Sequence, residues 1–157
     1  MFIETIGQRV RLVRPRSFAG LMTLYEGNHV RLRQLLGNLW DLPSKLVSIS
    51  STDLSIHLSL DGCSRYTTSL RMTYRLYNDG LTSADPDLLV RIYHDARLAE
   101  AVSCCERPRN IVFRGLWIPA TSELERRWLL NVFLNKWLEH CLDHRHVFGK
   151  LMTYNSI

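Results

Sequence analysis

The sequence lacks the features that define several large protein classes. The four cysteines form no C-x-x-C pair, and two of them, Cys104 and Cys105, are adjacent, which suits neither an ordinary disulfide nor a zinc ribbon. No stretch approaches the ~20 apolar residues that a membrane span requires. The first residues do not join a basic segment to a long apolar run, as a signal peptide would. We therefore expect a cytoplasmic protein with reduced thiols.

The sequence also lacks the common catalytic and nucleotide-binding motifs. No G-x-G-x-x-G follows a predicted strand, and no G-x-x-x-x-G-K-[ST] is present, which disfavours Rossmann and P-loop nucleotide sites. No acidic cluster suggests a magnesium-dependent hydrolase, and no G-x-S-x-G supports a serine nucleophile. We expect no cofactor, and we favour a binding or accessory protein over an enzyme.

What the sequence does contain is an uneven excess of positive charge. The 157 residues have a formal net charge of +5, and the length suggests one domain. Residues 1–40 hold six arginines and two glutamates, and Arg9, Arg11, Arg14 and Arg16 fall close together. We predict that residues 1–16 form a basic, flexible arm, which can meet phosphate groups or stay solvated.

Two segments show helical periodicity. The first starts after Ser17, a good N-cap, and its apolar residues recur at intervals of three and four up to Gly37-Asn38, a typical left-handed end. The second starts at the capping box Ser122-x-x-Glu125 and is long and very apolar. Its narrow predicted solvent face consists of Arg127, Asn131, Asn135, Glu139 and Asp143.

Alternation of apolar and polar residues predicts strands between the two helices. The clearest cover residues 54–60 and 65–77, joined by a turn at 61–64, and others cover 89–94, 98–104 and 111–117. Residues 78–88 resemble a loop. In the longest strand we predict that Tyr66, Thr68, Leu70, Met72, Tyr74 and Leu76 share the apolar face.

The order helix, strands, helix predicts one α+β domain over residues 17–146. We expect an antiparallel β-sheet of about five strands, with the N-terminal helix and the long C-terminal helix packed on one face. Residues 147–157 are assigned to a C-terminal tail.

Several short motifs resemble the YqiB-like family of small bacterial proteins, a domain of unknown function. They are Leu21-Met22-x-Leu24-Tyr25-Glu26-x-Asn28, Arg31-Leu32-Arg33-x-Leu35-Leu36, Arg65-Tyr66-Thr67-Thr68, Val90-Arg91-Ile92-Tyr93-His94-Asp95-Ala96-x-x-Ala99-Glu100 and Phe133-Leu134-x-x-Trp137-Leu138-x-x-Cys141-Leu142-x-His144. The resemblance covers residues 17–146, and residues 78–88 and 105–122 match poorly. It implies a cytoplasmic single-domain protein and no particular activity.

The polar face of the predicted sheet is the first candidate site. Arginine and threonine recurring about 7 Å apart along a strand can hold phosphate groups, and a tyrosine can stack on a base. The alternative is a solvated face of an antiparallel sheet. The residues of this candidate ligand-binding site are Arg65, Thr67, Arg71, Arg75, Arg91 and Tyr93.

Two further candidates involve histidines. His94 and Asp95 are the residue types of general acid–base catalysis, but on a regular strand they face opposite sides, so His94 is the weaker, catalytic candidate. His140 and His144 lie one helical turn apart, as in some zinc sites. A metal site would need a third ligand, such as Cys104 or Cys105, and the helix dipole alone also favours histidine there.

We therefore hypothesise a cytoplasmic binding protein for an anionic partner, which is RNA, a nucleotide or an acidic protein surface. One alternative is a small enzyme with His94 as acid or base and Arg91 or Arg65 anchoring an anionic substrate. Another is a protein-interaction module with no small-molecule ligand, pairing through an edge strand or the first helix.

Overall fold

Ser17 and Gly37 set the two ends of the first helix. The computed structural model describes residues 2–6, 9–13, 16–78, 81–104 and 122–150. In it, helix α1 spans Phe18–Leu36. The Ser17 hydroxyl accepts a hydrogen bond from the Gly20 N–H at 3.0 Å, which satisfies a backbone donor of the first turn. Gly37 has a φ of +78°, a left-handed conformation that glycine adopts without strain. Both predicted helix ends are confirmed.

The second helix, α2, spans Glu123–Asp143. Its N-cap is the predicted Ser122, whose hydroxyl accepts a hydrogen bond from the Glu125 N–H at 3.1 Å. The side chains that α2 buries include Trp128, Leu130, Phe133, Leu134, Trp137, Leu138 and Cys141.

The strands form one large antiparallel sheet and a separate hairpin. They are β1 (Phe2–Ile6), β2 (Arg9–Val13), β3 (Lys45–Ile49), β4 (Ile56–Cys63), β5 (Thr67–Asn78), β6 (Leu81–Tyr93), β7 (Leu98–Cys104) and β8 (Val147–Lys150). Six of them lie in the order β7-β6-β5-β4-β3-β8, and β1 pairs with β2. The α+β class, and an antiparallel sheet with both helices packed on it, are confirmed.

The strand boundaries differ from the predicted ones in several places. Strand β3 was not predicted, and β8, which pairs with it, lies within the segment assigned to the C-terminal tail. The N-terminal segment carries the β1–β2 hairpin, while its flexibility stays a prediction. The predicted strand at 111–117 lies outside the described residues.

The β4–β5 turn lies at residues 64–66 rather than at the predicted 61–64, because β4 continues through a bulge after Leu60 to Cys63. Tyr66 is therefore in the turn and 48% exposed, not on the apolar face. Strand β6 begins within the predicted loop, and the β5–β6 pairing shifts between Thr73 and Arg75. Pro86 lies opposite this irregularity, the kind of place where a strand tolerates a residue without an N–H.

The core lies between the sheet and the helices. Thr68, Leu70, Met72 and Tyr74 of β5 are all buried, which confirms the predicted inward face for these residues. Trp137 of α2 packs against the Tyr74 ring, with 5.2 Å between centroids. Other large side chains that are fully buried in this core are Leu32, Ile56, Leu88, Ile92, Phe133, Leu134 and Leu138.

Three asparagines seal the outer edge of β7. Asn131 accepts a hydrogen bond from the Ala101 N–H at 2.8 Å and donates to the Ala101 carbonyl at 3.3 Å. Asn28 of α1 donates to the Ala99 carbonyl at 3.4 Å and to Asn131 at 3.3 Å, and Asn135 donates to Asn28 at 3.1 Å. The prediction of Asn131 and Asn135 on the solvent face of α2 was wrong. Both are buried, because Asn131 pairs backbone groups that an edge strand otherwise leaves open and Asn135 bonds to the buried Asn28 side chain.

Replacing Asn131 with alanine should destabilise the protein by about 2–4 kcal/mol. The substitution leaves the Ala101 N–H and carbonyl and the Asn28 amide short of partners in a buried site, and each such group costs about 1–3 kcal/mol. Urea denaturation measures the change. Asn135→Ala, which removes one hydrogen bond, should cost only about 1 kcal/mol, and equal losses for the two variants would contradict this account.

A second buried polar cluster joins the β3–β4 loop to the end of α2. The Asp53 carboxylate accepts hydrogen bonds from the Tyr74 hydroxyl at 2.5 Å, from His146 Nε2 at 2.8 Å and from His140 Nε2 at 3.0 Å. Burial raises the pKa of Asp53, but the hydrogen bonds from Tyr74, His146 and the Leu54 backbone, together with the charge of His140, outweigh burial and hold that pKa below its ordinary value. The other His146 nitrogen bonds to the buried Ser48 hydroxyl at 2.8 Å, so the cluster acts as a structural link.

Replacing Asp53 with asparagine should cost about 2–4 kcal/mol at neutral pH, since hydrogen bonds to a charged group contribute about 1.5–3 kcal/mol each. Because the folded-state pKa of Asp53 is lowered, its contribution is present above the unfolded-state pKa and is lost as the pH falls through the folded-state pKa. Urea denaturation at neutral and acidic pH should therefore show the gap between wild type and Asp53→Asn narrowing in acid. A constant gap would argue against a charged Asp53.

Candidate anion-binding site

The polar face of β5 and β6, called the open sheet face below, brings together four of the predicted ligand-binding residues. Thr67 lies opposite Tyr93 in the register of the two strands, and Arg91 lies opposite Ser69. Arg71 follows two residues further along β5, so all of these share one side of the sheet. Their use in binding stays a prediction.

Acidic residues already balance much of the charge on the open sheet face. Arg71 forms ion pairs with Asp87 at 3.2 Å and with Asp61 at 3.8 Å, and the Thr73 hydroxyl donates to Asp87 at 3.1 Å. A ligand anion would compete with these carboxylates for Arg71.

Tyr93 is likewise hydrogen-bonded to a carboxylate of the neighbouring strand. The Tyr93 hydroxyl donates to Glu100 at 2.6 Å, and burial together with this bond raises the pKa of Tyr93. Arg91 lies opposite Glu100 in the β6–β7 register, and Arg127 of α2 approaches the same carboxylate at 3.9 Å.

The remaining two residues of the predicted site lie apart from this group. Arg65 is in the β4–β5 turn, with its guanidinium 5.1 Å from the centroid of the Tyr66 ring. Arg75 is exposed beyond the register shift of β5 and lies opposite Ala84. The structure therefore does not gather all six residues into one site.

His94, the weak catalytic candidate, lies where β6 ends and is only 6% exposed. A 2.7 Å hydrogen bond joins its Nε2 to the Thr68 hydroxyl, and its ring stacks on Trp40 with 4.2 Å between centroids and 21° between planes. Asp95 is exposed in the following turn, and no hydrogen bond links it to His94 in the described part of the chain. The two residues do not form a catalytic dyad.

A cavity of about 400 Å³ opens beside His94, between the end of α1 and the β6–β7 turn. We call it the His29–His94 pocket. Its lining residues are His29, Arg33, Gly37, Asn38, Leu39, Trp40, His94 and Arg97. The described lining therefore holds two guanidinium groups and two imidazoles, and no carboxylate.

His29 is the second imidazole of this pocket. It is 6% exposed, yet among the described residues its imidazole makes no hydrogen bond. Burial lowers the pKa of His29, and the nearby positive charges of Arg33 and Arg97, and of His94 when it is protonated, lower it further. Burial also lowers the pKa of His94, against a smaller opposite effect of Asp95. Both imidazoles are therefore neutral at neutral pH while the pocket is empty.

The backbone at Arg97 is strained. Its φ is +55°, in the left-handed region that costs most L-residues about 1–2 kcal/mol. Residues 94–97 form the tight turn between β6 and β7, where glycine or asparagine would relieve that strain. Strained positions of this kind cluster at functional sites.

His140 and His144, the weak metal-site candidates, lie side by side at the end of α2, with 4.1 Å between ring centroids. His140 bonds to Asp53, and His144 Nδ1 bonds to the Thr52 hydroxyl at 2.7 Å. Within the described ranges, no group of three or more His, Cys, Asp or Glu side chains has the arrangement to hold a metal ion. Cys105 lies outside those ranges, and Cys104 is half-buried.

Sequence reasoning identified His94 but missed its neighbours in the pocket. His29 and Arg33 lie four residues apart on α1, a spacing that places them on one helix face, and Arg97 follows His94 by three residues in a tight turn. These local signals were present. Trp40, which closes the pocket, comes from the loop after α1, and its stacking on His94 depends on the tertiary fold.

Comparison with known proteins finds relatives that carry no assigned activity. A family model described as "Protein of unknown function (DUF1249)" matches residues 31–147, which include Arg33, Trp40, His94 and Arg97. The chain is 31% identical over 130 residues to "Uncharacterized protein YqiB" of Escherichia coli K12, covering 81% of this chain and 89% of that protein. The YqiB proteins of strains O6:H1 and O157:H7 match equally. No solved structure matches significantly. The resemblance to the YqiB-like family is confirmed.

No helix in the described ranges is long and apolar enough to cross a membrane.

Proposed function

The chain belongs to the DUF1249 family, and we propose that it is a binding protein that holds a small anionic ligand in the His29–His94 pocket. The observation that carries this proposal is the His29 imidazole, which lines the cavity together with Arg33 and Arg97, two positive charges that act on it. Its ring makes no hydrogen bond to another described residue, so it is available to a molecule in the cavity. An anion there would accept a hydrogen bond from the imidazole and offset the positive charges of the two arginines.

The balance of charge around the pocket supports an anion as the ligand. Arg33 and Arg97 contribute two positive charges, and Asp95 is the nearby carboxylate that acts on His94. The C-terminal end of α1 adds the equivalent of about half a negative charge. The sum stays positive, and either imidazole can add a further charge by taking up a proton.

The open sheet face is the weaker place for the same activity. Binding there would require an anion to displace Asp87 and Asp61 from Arg71, which costs part of the energy gained. An RNA or an acidic protein surface would have to meet that cost.

A small enzyme with His94 as acid or base is the second candidate. The neutral His94 imidazole beside two arginines has the protonation state of a general base. Its Nε2 is engaged by Thr68, so only Nδ1 would be available for proton transfer. The third hypothesis is a protein-interaction module with no small-molecule ligand, and we would favour it if no anion binds.

We also propose that the protein works in the cytoplasm. Cys63 and Cys141 are free thiols, and Cys63 is exposed, a state that a reducing compartment preserves.

Replacing Arg97 with glycine should weaken the binding of inorganic phosphate by at least about 10-fold, because a hydrogen bond to a charged group contributes about 1.5–3 kcal/mol. The fold should persist, because glycine adopts the left-handed conformation without strain. Isothermal titration calorimetry measures the affinity.

Arg145→Gly is the matched control, since Arg145 is also an exposed arginine with a positive φ, +53°, and it lies after α2, outside the pocket lining. It removes the same charge and should leave phosphate affinity unchanged. If both variants lose the same phosphate affinity, the loss reflects the overall charge of the protein, and a pocket-specific role for Arg97 is refuted.

Sulfate affinity should rise as the pH falls from about 8 to about 6, by up to about 10-fold per pH unit for one linked proton. The lowered pKa values of His29 and His94 mean that the empty pocket is neutral at these two residues, whereas a bound dianion favours their protonated forms. Sulfate is the suitable probe because it does not titrate in this range.

His29→Asn should reduce this pH dependence. His57→Asn should not, although burial and Arg75 also lower the pKa of His57, because His57 does not line the pocket. A sulfate affinity independent of pH in the wild type would contradict proton-linked binding.

A further inference from the structure

We propose that the ligand of the His29–His94 pocket carries a flat aromatic ring beside its anionic group, as a nucleoside monophosphate does, and that this ring stacks on Trp40. The inference rests on the proposed function, because it assumes that the pocket binds an anion. It adds a ligand class, namely phosphorylated compounds with a heteroaromatic ring.

Trp40 is the one tryptophan in the described lining of a pocket that is built mainly from arginine, histidine and asparagine side chains. It is 59% exposed, whereas Trp128 and Trp137 are buried. A large aromatic side chain that stays exposed at the rim of a cavity lined by arginine and histidine combines the two elements by which proteins hold nucleotides, a stacking surface and positive charge for the phosphate.

The exposed Trp40 ring is also held in place before any ligand arrives. One of its faces stacks on His94, which Thr68 fixes by a 2.7 Å hydrogen bond. Its backbone N–H donates to the Asn38 side chain at 3.1 Å, and the neighbouring Leu39 is 3% exposed. A platform that is already ordered loses little conformational entropy on binding, which favours affinity.

The size of the cavity limits the ligand to a small molecule. About 400 Å³ lies near the lower end of the range of small-molecule sites, about 300–1,000 Å³. That volume fits a ring with one phosphorylated sugar. Arg33 and Arg97, in the same lining as Trp40, would hold the phosphate while the ring contacts the indole.

The test compares ligands that share a phosphate but differ in the ring. Isothermal titration calorimetry would measure the four common ribonucleoside monophosphates, ribose 5-phosphate, inorganic phosphate and adenosine on the wild-type chain. Base–aromatic stacking changes affinity by about 5- to 150-fold. At least one nucleoside monophosphate should therefore bind at least about 10-fold more tightly than ribose 5-phosphate.

Trp40→Leu should abolish this preference by weakening the nucleotide to the level of ribose 5-phosphate, with the affinity for ribose 5-phosphate unchanged. Trp40→Phe should retain most of the preference, because phenylalanine still offers a stacking face. Phe18→Leu is the matched control, since Phe18 is 69% exposed at the opposite end of α1, and it should change neither affinity. If Trp40→Leu fails to fold, Trp40→Phe and the wild-type ligand comparison decide the matter.

The outcomes separate this inference from the proposed function. If ribose 5-phosphate binds as tightly as every nucleoside monophosphate, the ring inference is wrong and the anion pocket stands. If none of the phosphate compounds binds, both proposals are overturned. If Trp40→Leu weakens ribose 5-phosphate and the nucleotide equally, Trp40 shapes the pocket without stacking on a ring, and the inference fails.

Discussion

The hydrogen bonds from Asn28 and Asn131 to the backbone of β7 are the constraint on which the pocket depends. They fix α1 and α2 to the outer edge of the sheet through groups that would otherwise be buried without partners. Asn28 and His29 are neighbours on α1, so the bond that holds Asn28 to β7 also sets the direction of His29. Strand β7 in turn anchors the turn that carries Arg97, and both sides of the pocket therefore share one support.

Charge is distributed differently at the two candidate sites. On the open sheet face, carboxylates from neighbouring strands approach Arg71 and Tyr93, and the strands are joined through these pairs. In the pocket, the described arginines and histidines face one another without a lining carboxylate. The paired charges of the open sheet face stabilise the fold, since a partly buried charge with a partner costs less free energy than one without. In the pocket, Arg33 and Arg97 are exposed and their charges are screened by water.

The parts of the fold that could be predicted are those encoded by near neighbours in sequence. Ser17 and Gly37 mark the ends of α1 through bonds within a few residues, and alternation along β5 identifies its buried face. Asn131 was misread because a polar residue on an amphipathic helix normally faces water, and only the approach of β7 explains its burial. Trp40 illustrates the same limit, since its stacking on His94 joins two loops distant in the chain.

The asparagine seal has a consequence for how copies of this protein can associate. A sheet grows by adding a strand where backbone donors and acceptors are open, and at β7 the side chains of Asn28 and Asn131 already occupy those groups. Another chain could pair there only by displacing both helices from the sheet. The backbone of β7 at Ala99 and Ala101 is thereby closed to strand addition.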